Sequence, residues 1–149
     1  MATKQSKQVQ ASFMPIDCAQ AGEVKGLTGV ITLTALALGD LLEMVPLPAG
    51  HVPVDCIVDS DDLDSNATPA LVFSAGLITG DTPTVDEMIA STDIGQTGGI
   101  ARMDAKGGTR IAPADTDRVF GLKCTAAPAT FQAGSVAFTL LYRAAIDGA

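Results

Sequence analysis

At 149 residues the chain has the length of one domain, enough to bury roughly two thirds of the surface its unfolded form exposes. Nine basic residues against seventeen acidic ones give a net charge of −8 with no basic cluster beyond the first turns, which argues against direct nucleic-acid binding, since phosphates need a concentrated cationic footprint. Only 17% of residues are charged and there is no Trp and a single Tyr, so the chain lacks a stacking platform for bases or sugars and has little charge to cover a monomer surface; self-association or docking on a partner follows.

In chain order, residues 1–8 read as a flexible N-terminal arm carrying Lys4 and Lys7, and 9–149 as a single β-sandwich domain. The arm either frays or lies along an acidic neighbour after assembly. Val9–Met14 permits a first strand, and Pro15–Gly26 reads as irregular. A β-branched strand is expected over Thr28–Thr34 and a second over Leu41–Leu47, where Pro46 demands a sheet edge or a strand end because it cannot donate to a ladder. After the turn PLPAGH comes Val52–Asp59, with Val52, Val54, Cys56 and Val58 on one face and Pro53, Asp55, Ile57 and Asp59 on the other. Leu71–Ile78 is apolar on both faces and belongs inside a sheet. The two runs are expected to form a central hairpin with an acidic polar turn at its tip.

Beyond Ile78, Thr84 and Glu87 have capping-box spacing, Val85, Met88 and Ile89 share a helical face, and Gly95 supplies a stop, so one short helix is expected. A glycine-rich loop holding a strand near Ile100–Met103 follows, then strands over Arg118–Thr125 and Ser135–Arg143. The sum is an all-β chain of roughly eight short strands and one short helix, the pattern of a jelly-roll-like β-sandwich. No secretory signal is visible, and the uncharged run Cys124–Tyr142 alternates like a strand and contains Pro128, so no membrane span is expected.

Little of this chemistry is catalytic. Cys18, Cys56 and Cys124 are odd in number and widely spaced, giving neither a disulfide framework nor a zinc signature; buried reduced thiols suit synthesis in a reducing cytoplasm. Asp55, Asp59, Asp61, Asp62 and Asp64 with Asn66 are the densest set of oxygen ligands, but the EF-hand order is missing and a solvated acidic turn is the simpler reading. Those carboxylates have a third use, meeting basic side chains of a neighbouring subunit. His51, the single histidine, reads as a surface turn residue. There is no G-x-S-x-G, P-loop or G-x-G-x-x-G, and GQTGG at 95–99 has the wrong spacing for a phosphate cradle. No metal, cofactor or enzyme activity is expected.

The segments GVITLTALALGDLLEMVPLPAG, VPVDCIVDSDDLDSNATPALVFSAGLITGD, EMIASTDIGQTGGIAR and SVAFTLLYRA together resemble the small head-decoration, or cement, proteins of tailed bacteriophages. The likeness runs from about Leu27 to Arg143. It implies a jelly-roll-like dimer or trimer on the outside of an icosahedral shell that bridges neighbouring major capsid proteins. Lys4 and Lys7 of the arm and Asp59, Asp61, Asp62 and Asp64 of the acidic turn are the contact residues expected. A phage tail or neck β-sandwich protein is the alternative, and a ligand- or carbohydrate-binding module, which would want exposed aromatics, is more distant.

Overall fold

A computed structural model describes residues 1–11, 23–78 and 84–145. Nine strands among them form two sheets face to face: β1 (Thr3–Gln5), β2 (Val24–Leu33), β3 (Leu41–Leu47), β4 (His51–Ser60), β5 (Val72–Ile78), β6 (Thr84–Thr92), β7 (Gly99–Arg102), β8 (Arg118–Ala126) and β9 (Gly134–Ala144). One sheet runs β1-β3-β8-β5-β6 and the other β2-β9-β4-β7. Their inner faces interdigitate as a jelly-roll-like sandwich. Alternation dictates the layers: Val136, Phe138, Leu140 and Tyr142 of β9 point inward against Phe120 and Leu122 of β8 and Phe73 of β5, all essentially inaccessible to water.

Within this sandwich the expected strands over 28–34, 41–47, 52–59, 71–78, 100–103, 118–125 and 135–143 are all present, within a few residues at their ends. Pro46 sits near the end of β3, opposite Val119 and beyond the reach of β1, where its missing N–H costs no ladder bond to a second neighbour. β5 lies between β8 and β6, as its two apolar faces require. In β4, Cys56 and Val58 face the core while Ile57 and Asp59 face outward, and a bulge between Pro53 and Asp55 takes Val54 out of register.

Three expectations are corrected. β4 and β5 are not a hairpin, because they belong to different sheets and residues 61–71 cross between them. Leu63 and Leu71, both fully buried, cover the end of the core during that crossing, which a solvated hairpin tip could not do. The helix expected after Pro83 is instead β6, paired antiparallel with β5. Its ladder slips between Phe73↔Thr92 and Ala75↔Ile89, so that Met88 and Ile89 are both buried although adjacent, a placement that mimics helical spacing in the sequence. Pairing with an apolar neighbour overrides the local cap signal.

The third correction concerns the N-terminus. Thr3–Gln5, assigned to a flexible arm, pairs in parallel with Leu41–Glu43, and Lys7–Gln10 forms an α-helical turn, α1, the only one among the described residues, where a strand was expected to start; residues 12–14 of that strand lie outside the described residues. Asp40 supplies the reason. Its carboxylate accepts from the backbone N–H of Ala2 at 2.8 Å and of Ala37 at 3.0 Å, and Lys4 Nζ stands 3.9 Å away. Ser6 then caps α1, its Oγ accepting from Val9 N–H at 3.4 Å and donating to the Met44 carbonyl.

Candidate assembly surface

The acidic turn divides into an outer and an inner part. Asp59 and Asp61 are exposed, Asp62 is half-buried, and Asp64 is 1% exposed. Asp62 Oδ1 accepts from Asp64 N–H at 3.0 Å, an Asx turn that aims the next carboxylate inward. Asp64 then gathers two loops: its Oδ2 accepts from Ala70 at 2.7 Å, Ala129 at 2.9 Å and Leu71 at 3.2 Å, and its Oδ1 from Thr130 at 2.8 Å. Burial pushes this carboxyl's pKa upward, but the backbone N–H groups of Ala70, Thr130, Ala129 and Leu71 outweigh it and hold the group well below the ordinary carboxylate range. Asp64 is therefore internal structure and drops out of the set of contact residues.

Both arm lysines border one shallow groove between the β1–α1 segment and the outer edge of β2, lined also by Gln8, Gln10, Val30 and Thr32. Lys7 is exposed, while Lys4 is partly engaged by Asp40. Gln8 Nε2 donates to the Thr28 carbonyl at 2.9 Å and ties the helical turn to the edge strand. The groove and the outer acidic residues meet at one end of the sandwich: Thr32 Oγ1 lies 3.1 Å from Ser135 Oγ, and Ser135 N–H donates to Asp61 Oδ2 at 2.7 Å. Thus the structure brings Lys4, Lys7, Asp59 and Asp61 to the same end, on either side of β9.

His51 is buried, in contrast to the surface turn expected. It opens β4, its Nδ1 lies 3.0 Å from the Ala49 carbonyl, and its ring stands edge-on to Tyr142 with centroids 5.7 Å apart. Arg118 holds the same corner, donating to the carbonyls of His51 at 2.7 Å and Ala112 at 2.8 Å. Among the described residues no group of three His, Cys, Asp or Glu side chains converges as a metal site.

Cys56 and Cys124 are free and buried; Cys18 lies outside the described residues. Burial, then the charges of Asp55 and Asp104, push the Cys56 thiol up to about 12, and burial followed by Asp40 pushes Cys124 up to about 11. Neither thiolate forms at pH 8, so Ellman's reagent is expected to label neither residue in the native protein and both after denaturation. Native-state labelling of either, mapped by mass spectrometry, would contradict the burial described.

Sequence reasoning missed a further feature, the outward face of the β2-β9-β4-β7 sheet. Val24, Val30 and Ile100, three of the five exposed large apolar residues among those described, lie on it. Alternation marks Val24, Gly26, Thr28, Val30 and Thr32 as one face of β2, but only the sheet order shows which neighbours extend that face.

No family model matches the sequence, and no curated protein does. Solved structures do. A chain from the capsid of Ralstonia phage GP4 superposes with a TM-score of 0.89 at 34% identity, over 97% of this chain and 99% of that one. A chain from the cyanophage Pam1 capsid asymmetric unit gives 0.72 at 22% identity, covering 88% and 91%. One from the acidic stable capsid of Helicobacter pylori bacteriophage KHP30 gives 0.57 at 14%, covering 83% and 90%. The last two establish the shared fold.

Proposed function

Because the chain belongs to the family of phage capsid proteins represented by its counterpart in the Ralstonia phage GP4 capsid, we propose that it is a decoration protein, binding the outside of a phage shell and cementing neighbouring major capsid subunits. Kinship with capsid proteins supports a structural, non-enzymatic role in the virion. The observation that carries the exterior placement is charge: at −8 with no cationic cluster, the chain would be repelled by packaged nucleic acid on the inside and is at ease on the outer surface.

Low charge elsewhere leaves apolar and hydroxyl surface for burial at shell contacts. Roughly 25 cal/mol per Å² of apolar area is the gross gain, reduced by the cost of ordering both partners. Lys4 and Lys7 in their groove, with Asp59, Asp61 and Asp62 beyond β9, are the polar contacts of this reading. They flank one end of the sandwich, so a single docking pose engages both signs of charge.

The test is co-sedimentation of purified protein with expanded, undecorated heads, using unexpanded heads as control. Binding that saturates at a fixed ratio per coat subunit, on expanded heads only, is expected. Protein remaining in the supernatant with both preparations overturns the decoration role and leaves a tail or neck component as the next reading.

A further inference from the structure

Among the described residues no strand lies beside the outer edge of β2, where the sheet order β2-β9-β4-β7 ends. In an antiparallel ladder, opposed residues alternate between pairs that bond each other and pairs whose backbone groups point away, so half of the polar groups of β2 face this edge. Two contacts show which half. Ser135, opposite Thr32, directs both its groups to the β4 side of β9: its N–H donates to Asp61 Oδ2 at 2.7 Å, and its carbonyl accepts from Asp61 N–H at 2.9 Å. The backbone of Thr32 therefore turns outward. Four residues earlier, in the same phase, the Thr28 carbonyl accepts from Gln8 Nε2 at 2.9 Å, which reaches it from the edge. Val30 lies between them and shares the phase, so Val30 and Thr32 each present an N–H and a C=O beyond the sheet, about 7 Å apart, the two-residue repeat of a strand.

The groove already described runs along this row. Five consecutive residues of one wall, 30–34, line it, so it follows the backbone edge and not one side-chain face. Its volume of about 730 Å³ is within the range of clefts that enclose a ligand. Nothing in β2 guards the edge in the usual ways: residues 26–33 hold no charge and no proline, and the register with β9 is unbroken over ten pairs. In a chain of net charge −8 the groove is lined by Lys4 and Lys7 and by no carboxylate. Lys7 is exposed, and Lys4 stands 3.9 Å from Asp40.

Building on the decoration reading, we propose that an extended acidic segment of the major capsid subunit enters this groove and adds to β2 as a further strand of its sheet. Its backbone bonds the N–H and C=O groups of Val30 and Thr32, and its carboxylates meet Lys4 and Lys7. Main-chain bonds supply affinity in strand addition, and the side chains beside the edge choose the sequence. Two lysines with no opposing acid choose a negative one.

The head-free test is a titration of isotope-labelled protein followed by amide NMR. The probe is a heptapeptide alternating Glu and Val, and the control is its Lys and Val counterpart. Saturating shifts at residues 30–34 are expected for the acidic peptide only. Thr32→Pro removes an edge N–H that serves no ladder bond, a place where proline is tolerated, whereas Thr32→Ala keeps that N–H. With folding checked by circular dichroism, Thr32→Pro is expected to abolish the shifts and to weaken co-sedimentation with expanded heads about tenfold, while Thr32→Ala changes neither. Lys7→Glu, on an exposed side chain, should weaken both and does not depend on how β2 receives a proline. Absence of shifts at 30–34, equal shifts with the lysine peptide, or a folded Thr32→Pro chain that binds as Thr32→Ala does overturns the proposal. So does slow exchange of the Val30 and Thr32 amides in the free protein, which would show the edge already covered. Failure of the decoration role looks different: wild-type protein that takes the acidic peptide but leaves heads unbound removes the capsid subunit as owner of the segment, whereas undiminished binding of heads by Thr32→Pro removes the added strand and keeps the decoration role.

Discussion

Asp64→Ala is expected to lower the melting temperature more than any other single substitution in the acidic turn, by several degrees beyond Asp59→Ala. Among the described residues the carboxylate is the only acceptor drawing the N–H groups of Ala70 and Leu71 on one loop and Ala129 and Thr130 on another to a common point. Removing it orphans donors at a site already closed by Leu63 and by the Asp64↔Phe131 bridge, and an unmade bond to a buried group costs more than a made one gains. Asp64→Asn keeps the shape but turns one acceptor into a donor facing N–H groups, so it is expected to fall between Ala and wild type. The pH dependence has a definite sign. The folded pKa is depressed below the unfolded value of about 3.9, so the stabilisation is complete above that value and is lost as pH falls through the folded one. Scanning calorimetry from pH 7 to pH 3 should show the wild type losing stability below about pH 4 and Asp64→Asn losing less over the same interval. Equal melting temperatures for Asp64→Ala and Asp59→Ala at pH 7 would show that the carboxylate does not hold the two loops.

Alternation and turn chemistry made most of the sandwich legible, because a strand with one buried face writes its pattern locally. β9 announces itself in Val136, Phe138, Leu140 and Tyr142. What was not legible depends on partners distant in sequence. β6 looks like a helix because its bulges against β5 place Met88 and Ile89 side by side in the core, and no local signal distinguishes a bulged strand from a helical face. The crossing of residues 61–71 looks like a hairpin tip because Asp64 is drawn inward by donors supplied from 129–130, over sixty residues away. The arm looks free because Asp40, which anchors it, lies beyond β2. Of the candidate contact residues, Lys4, Lys7, Asp59 and Asp61 were found by charge alone, whereas Val30 and Ile100 become a surface only once the sheet order sets their rungs side by side.

Gly29→Ala is the second substitution expected to cost heavily, and it acts where the edges of the two sheets meet. A Cβ at Gly29 would overlap the Met44 carbonyl oxygen on β3 and stand 2.9 Å from its carbon and 3.1 Å from Ser6 Oγ. Two of these are backbone atoms, which cannot rotate away, so β2 and β3 must part. Overpacking of this kind costs about 2–3 kcal/mol, which for a domain of this length lowers the melting temperature by roughly 5–10 °C. Gly26→Ala on the same strand is the control: its Cβ meets the end of the Leu141 side chain at 3.0 Å, which can turn aside, so its effect should stay within about 1 kcal/mol. The damage at Gly29 has a location as well as a size. The Met44 carbonyl is the group to which Ser6 donates at the cap of α1, so separating β2 from β3 loosens the helical turn and the Gln8 tie to Thr28 along with it. Amide exchange in residues 3–10 should therefore accelerate in Gly29→Ala ahead of exchange in β8 and β9, and binding to heads should weaken if the Lys4–Lys7 groove takes part. Uniform acceleration across both sheets, or a melting temperature matching that of Gly26→Ala, would place the arm's anchorage elsewhere.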